Sequence, residues 1–437
     1  MNAALRSFET QWRERVPDAL QAVREQAMQR FLKLGLPSLR DETWRYTDLR
    51  SVAAQSFAAA ACADGGATDG GATQSGAGLL LVDPSQAITL KLVNGCPLPD
   101  AEIPLINGLE INNIGDILKL DPKSVRRFFE PPSDADQRRW ALLNTALFID
   151  GLYLRITQSI STPIVILHVS SGESTQAAHP RLIIDAQPGA SAVIIEHHVS
   201  QGESALLSNS NTHIALARDA QVEHYRIYST GSGATHLDSL DIRQAKGSRC
   251  RQFTVALGGG LVRSSLEAQL QEPGANLDSY ALLVGHQDRH VDCVNIVTHA
   301  APDTSSRQTA RAIASDVSRV IFNSKVIVNE GAKNADSKQS CRGLLLSPNA
   351  EIDTRPQLEI HADEVKCAHG ATTGRLDPDM LFYLLSRGLD RDTAQSLLVY
   401  AFLADVLTGM SVTSARGAIE NALISQLPDS QTLRKFR

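Results

Sequence analysis

Asp219-Ala220-Gln221-Val222-Glu223-His224-Tyr225-Arg226-Ile227-Tyr228 puts a small-residue corner directly in front of a run rich in β-branched and aromatic residues, the signal of a strand entered through a tight turn. The unit recurs. Corners at Gly189-Ala190, Asp219-Ala220, Gly247-Ser248, Gly274-Ala275, the weaker Pro302-Asp303 and Gly331-Ala332 are separated, second residue to second residue, by 30, 28, 27, 28 and 29 positions. Strand-like runs such as Leu182-Ile183-Ile184, Val193-Ile194-Ile195 and Val326-Ile327-Val328 lie between them. A steady interval with strands on both sides of a corner predicts a β-solenoid, each coil burying the inward face of its neighbour. A β-sandwich is the alternative, since its turns every ~8–12 residues can hide inside a longer period; the regularity of the interval favours the solenoid. An aromatic content of 5% suits a narrow interior.

Outward from this core the pattern turns helical on both sides. Upstream, Asp18 after Pro17 can cap a helix whose apolar residues Ala19, Leu20, Val23, Ala27, Phe31 and Leu32 follow a 3.6-residue period until Gly35-Leu36-Pro37. Arg40 to Asp48 is an aromatic and charged cluster, read as a docking corner that packs Trp44 and Tyr46. Ala58 to Gly78 holds eight Ala and six Gly in 21 residues, too little apolar bulk to order itself, and predicts a flexible insertion. Downstream, Asp377-Pro378 starts a helix with Leu381, Leu384 and Leu385 on one face and Gly388 as its stop. A second helix can start at Asp390 or Asp392, with Ala394, Leu397, Leu398, Ala401 and Phe402 apolar; packing on the β-core is the usual fate of such faces. The expected architecture is mainly β: a helical and mixed region at 1–140 with an insertion at 58–78, a solenoid core at 141–375, and a helical end at 376–437.

Composition narrows the function. The 437 residues carry 42 Lys+Arg and 48 Asp+Glu, a net charge of −6, and show no basic cluster of the kind that nucleic acid or an anionic membrane requires. The apolar run Leu397 to Ala404 stops at Asp405, far below the ~20 residues of a membrane span. The N-terminus lacks the apolar stretch of a secretory signal, so a cytosolic chain is expected. The six cysteines, at 62, 96, 250, 293, 341 and 367, form no CxxC pair, and a reducing compartment would leave them as thiols. All twelve histidines fall between His168 and His369, which places any chemistry in the middle of the chain.

Specific motifs are few. Gly258-Gly259-Gly260 lacks the Lys-Ser or Lys-Thr of a phosphate loop, so no nucleotide is expected on this chain. His286-Gln287-Asp288-Arg289-His290 has the spacing of a helical zinc hydrolase site without its glutamate, in a context of strand and turn. His290-Val291-Asp292 with His299 reads instead as a buried hydrogen-bonded set, and Glu196-His197-His198 as a strand with one imidazole out and one in. Cys367-Ala368-His369 is the sharpest local feature. On an extended strand residues i and i+2 share a face, so a thiolate and an imidazole could meet one soft or borderline metal, with further ligands supplied from elsewhere, even a second chain. The plain alternative is a small buried apolar cysteine.

The stretch from Ser347-Pro348-Asn349 through Arg355-Pro356-Gln357-Leu358-Glu359-Ile360-His361 to Cys367-Ala368-His369-Gly370-Ala371-Thr372 closely resembles the signature of the SufB/SufD family of iron-sulfur cluster assembly proteins. The resemblance extends from Trp44-Arg45-Tyr46-Thr47 to Leu381-Phe382-Tyr383 and Ser386-Arg387-Gly388. Gly370 after the Cys-x-His, together with Glu42-x-Trp44-Arg45-Tyr46-Thr47, resembles the SufD branch, since SufB members carry Glu there.

The resemblance implies a right-handed parallel β-helix flanked by helical ends and a non-enzymatic role: pairing with SufB and docking the SufC ATPase while a nascent cluster is built. It implies that Cys367 and His369 meet SufB ligands at the heterodimer interface, holding iron or a nascent cluster transiently. It also implies that the C-terminal helices, with Leu381, Leu385, Leu398 and Phe402 as the apolar contacts, dock SufC. Self-pairing of the isolated chain stays open. A rival from another class is a β-helix enzyme acting on carbohydrate, which needs converging carboxylates or basic residues on one face.

Overall fold

The computed structural model describes residues 2–62, 79–98, 105–130, 138–171, 175–200 and 206–426. Its corners follow from residue chemistry. Gly189, Asp219, Gly247, Gly274, Asp303 and Gly331 all take positive φ, from 58° to 83°, a region open to glycine and tolerated by aspartate. The residue after each, Ala190, Ala220, Ser248, Ala275, Thr304 and Ala332, is small and buried. The fifth corner is therefore Asp303-Thr304, one position later than Pro302-Asp303. At Gly247 a Cβ would also meet the Asp219 carboxylate of the preceding coil at 2.3 Å.

Between corners the chain alternates between two parallel sheets. One stacks Leu152–Ile156, Arg181–Ala186, Asn211–Leu216, Thr235–Gln244, Leu261–Leu270, His290–His299, Arg319–Val328 and Glu351–Ile360. The other stacks Ile88–Val93, Ile164–Ser170, Ser191–Ser200, Gln221–Tyr228, Arg249–Ala256, Asn276–Gly285, Ser305–Ala314, Asp336–Leu345 and Lys366–Gly374. The result is a β-solenoid of about seven turns with helices at both ends. Its interior is filled by one apolar residue set from both sheets, including Leu182, Ile184, Ile194, Ile214, Ile242 and Leu266.

The upstream helices seal one flank. Arg139–Leu147 is buried along its whole length, and the Asn144 amide donates to the carbonyls of Pro180 and Asn209, at 2.9 and 2.7 Å, clamping two coil corners. The Trp44 corner docks as expected: Arg263 lies 3.7 Å over the Trp44 ring and donates to the Thr43 carbonyl. At the other end, Arg391–Leu407 and Thr413–Ser425 lay Val399, Leu403, Val406 and Ile419 on the outer face of the second sheet. There Tyr225, Phe253 and Tyr280 stack at 4.8 and 4.7 Å, one ring per coil.

Several expectations change. An additional helix, Ala3–Arg13, precedes the upstream helix, which runs Gln21–Leu34. Asp18 does not cap it in the expected way; its carboxylate binds Leu20 N–H and the buried Arg24 guanidinium. The putatively mobile stretch is ordered at its start, where Ala58–Ala59 pairs with Gln176–Ala178, while 63–78 lies outside the described residues. That pairing, with Asn94 donating to the Ala61 carbonyl, brings Cys62 onto Cys96, and the two form a disulfide rather than free thiols. Chain spacing of 34 residues conceals such a contact because it is made by sheet pairing.

The corners make a paired prediction. Gly189 has no atom within 4 Å of an added Cβ, so Gly189→Ala carries only the left-handed backbone cost of ~1–2 kcal/mol. Gly247→Ala also meets the Asp219 carboxylate, the end of an exposed side chain that can rotate away, so it adds little to that backbone cost. Denaturant midpoints of both variants should fall below wild type by similar amounts; a Gly247→Ala midpoint far below that of Gly189→Ala would show the Asp219 carboxylate to be pinned against Gly247.

Candidate functional site

Lys366–Gly374 is the last strand of its sheet, paired on one side only, with Asp336–Leu345. Register puts Cys367 beside Ser337 and His369 beside Gln339, both buried, so Cys367 and His369 face the same way, over the open end of the interior. Cys367 is half-buried against the apolar core and His369 is exposed. Burial pushes the Cys367 thiol up, opposed in part by a hydrogen bond from the Ser337 backbone, so a metal must displace its proton. Gly370 has open space around it.

His369 is also the exposed end of a polar file. Pairing stacks His224, Gln252, Ser279, Gln308, Gln339 and His369 in order along one sheet, and the first five are buried. Asn295 reaches across from the facing sheet to donate to Ser279 at 3.2 Å, and Ser279 donates to Gln252 at 3.1 Å.

Among the described residues, the sets of three or more metal-ligating side chains whose ligand atoms lie within 4.8 Å of one another do not include Cys367 or His369. The pair can supply a soft thiolate and an imidazole to one ion, and a four-coordinate site needs ligands from outside the chain. The neighbouring terminal strand, Glu351–Ile360, is likewise an edge, and Pro356, which has no N–H to donate, sits within it.

The other candidate residues fall elsewhere. His286 meets Ser315 and Asp316 at a turn, while His290 starts a strand and bonds Thr47, so the pair holds no common ion. His290 and Asp292 share the Thr47 hydroxyl, but His299 lies at the far end of the strand with Thr304 and Ser306. In the C-terminal helices Leu381 is buried and Leu385, Leu398 and Phe402 are half-buried. The apolar side chains that Pro378–Ser386 turns outward are Met380, Phe382 and Tyr383, at 58%, 71% and 56% exposure.

A buried ionic cluster near the start of the solenoid went unmarked in the linear reading. Glu196 accepts from Arg226 at 3.0 Å, from Thr212 at 2.8 Å, and bonds His224 and His168 at 2.7 and 3.1 Å. Burial would raise the Glu196 carboxyl, but Arg226 and the two imidazoles outweigh it and hold it well below the usual range. His198 faces inward with Glu196; His197 points the other way yet is also buried, bonded to Ser229 at 2.7 Å. The signal that could have found this cluster is the coil period itself, since Glu196 pairs with Arg226 and His168 with His198 thirty positions on.

Residues 5–166 match the SufBD protein N-terminal region, and residues 168–402 match the SufBD core domain of the SUF iron-sulfur cluster assembly system. The chain belongs to the SufBD family. It is 28% identical over 407 residues to the iron-sulfur cluster assembly protein SufD of Escherichia coli, covering 91% of this chain and 90% of that protein. A SufBD family protein of Synechocystis is 28% identical over 418 residues, 89% of this chain and 87% of the relative. SufD of Bacillus subtilis is 24% identical over 293 residues, 66% and 67%. SufBD membership places this chain among iron-sulfur cluster assembly components. Among the described residues no helix is long and apolar enough to cross a membrane.

Burial holds several imidazoles neutral: His179 and His213 are pushed down to about 3, His197 and His299 to about 4, and His198 well below its usual value. The unfolded chain takes up protons below about pH 6.5 that the native chain refuses, so their share of stability is whole above that pH and is lost as pH falls. The urea midpoint should drop between about pH 7 and pH 5. A flat profile across that interval would show these imidazoles to be charged in the native state.

Proposed function

We propose that this SufBD chain is a non-catalytic subunit that pairs through its terminal strands with a SufB-type paralogue and supplies Cys367 and His369 to iron or a nascent cluster at that junction. The observation that carries the reading is the open end of the solenoid: two sheets end there in strands of ten and nine residues, each with one edge free among the described residues, and the thiol and imidazole stand on the second. A long unpaired edge is a standing template for another strand. Pairing there would also bury Cys367 and His369 and bring the partner's ligands to them. The iron is cargo, and the chain's own part is to offer a thiol that ionises when metal arrives and an imidazole fixed two residues away.

Docking of a SufC-type ATPase by the helical end is the second element of the proposal. Met380, Phe382 and Tyr383 form the exposed apolar surface there, of the kind that soluble chains keep for partners. The helices Arg391–Leu407 and Thr413–Ser425 rest on the solenoid, so force applied by a nucleotide-driven partner would reach the sheet that ends in Cys367. The carbohydrate-enzyme reading gains nothing from Glu223, whose carboxylate is engaged by Tyr225, Arg251 and Ser411 N–H.

In complex with its SufB-type and SufC-type partners, the Cys367→Ala, His369→Ala double variant should elute as an intact assembly and lose cluster formation. Normal cluster formation in that intact assembly would overturn the ligand reading. Because the thiol must ionise, iron capture at the junction should strengthen as pH rises.

Phe382→Ala with Tyr383→Ala should weaken ATPase capture by at least ~10-fold with an unchanged melting temperature, as expected of exposed contacts. Leu381→Ala should instead lower the melting temperature. Full ATPase capture by the Phe382, Tyr383 double variant would move the docking surface elsewhere.

A further inference from the structure

His198, His236 and Asp238 converge inside the solenoid, near the end opposite Cys367. His198 comes from one sheet, on Ser191–Ser200, and His236 and Asp238 from the other, on Thr235–Gln244. Each is at most 1% exposed, and one ligating atom from each lies within 4.8 Å of the others. The imidazole centroids are 5.5 Å apart, and the Tyr228 ring packs against both at 4.9 and 5.0 Å.

Four polar atoms here lack a hydrogen-bond partner: His198 Nε2, His236 Nδ1, Asp238 Oδ2 and the Tyr228 hydroxyl. The surroundings explain why no neighbour fills the role. Glu196 is fully engaged, and its charge is matched by Arg226. The other Asp238 oxygen accepts the Ser210 N–H at 2.7 Å, which leaves Oδ2 without a hydrogen-bond partner. His236 Nε2 is 3.0 Å from the Thr230 hydroxyl; with the proton on Nε2, Nδ1 turns a lone pair toward Asp238. In that tautomer the imidazole lone pair and the carboxylate face each other, an arrangement that a bound cation would stabilise.

The separation suits a metal ion. His236 Nδ1 and Asp238 Oδ2 are 3.6 Å apart, too long for a hydrogen bond. Two ligands each ~2.0–2.1 Å from one tetrahedral ion stand about 3.4 Å apart. We propose that His198, His236 and Asp238 form a binding site for a divalent first-row transition metal ion, whose two-imidazole, one-carboxylate donor set suits zinc or ferrous iron. Thr230 orients the His236 ring from behind. The ion joins the two sheets across the interior, so its binding free energy adds to folding.

The test uses the full chain, stripped with chelator and titrated with Co²⁺ as the probe. A single equivalent should bind, giving d–d absorption of a four- or five-coordinate site with no thiolate charge-transfer band, and should raise the melting temperature. Asp238→Asn and His236→Gln should weaken Co²⁺ binding at least ~10-fold. The Cys367→Ala, His369→Ala double variant should bind as wild type, which separates this site from the terminal pair. Absence of stoichiometric binding by the wild type, or a thiolate band in its spectrum, overturns the assignment whether or not the variants fold.

Discussion

Stacking of one coil on the next, in parallel and with little drift in register, is the constraint on which the rest of this molecule depends. Each inward side chain has as its neighbours the residues one coil before and one coil after. An apolar residue at such a position extends the core, and a polar one needs a partner within reach along the stack or across the interior. The positive-φ corners keep the stacks aligned, since an extra residue would turn every following side chain to the other face.

Two consequences of stacking differ at the two ends of the solenoid. Near its start, one set of polar inward positions is answered within the chain: Glu196 gathers Arg226, His168, His224 and Thr212 into one buried network. A fully buried ion pair of this kind contributes less through net stability than through the penalty for mispairing, because either partner alone would be an uncompensated charge. At the last coil the stacks are not answered. Ser337 and Gln339 are followed by Cys367 and His369, and among the described residues no further strand stacks beyond those. The same geometry that buries a histidine at position 224 therefore presents one at position 369.

The helical ends complete the logic of an open-ended solenoid. The N-terminal helices and the Trp44 corner cover one flank, and the C-terminal helices cover the outer face marked by the Tyr225, Phe253 and Tyr280 stack. The Trp44 corner meets Glu351–Ile360 where Glu42 pairs with Arg355, while Glu351–Ile360 and Lys366–Gly374 each keep one strand edge uncovered among the described residues. In the SufBD family context, that uncovered edge is what gives the Cys-x-His its setting.

Much of this was legible in the residues. The corner interval of 27 to 30 positions, the Asp377-Pro378 helix start and the docking of Trp44 all rest on local chemistry, which a linear reading captures because the interacting residues are close in sequence or repeat regularly. The alternation of strands likewise predicts that Cys367 and His369 share a face. Local residue chemistry sets the period, the strand character of the coils and the presence of two ligand-type residues on one face at one end. Who meets whom across that period is set by the folded arrangement: Cys62 with Cys96, Glu196 with Arg226, and His198 with His236 and Asp238. Those contacts depend on register and on which sheet faces which, both set by the cooperative packing of all coils together and by no single segment of the chain.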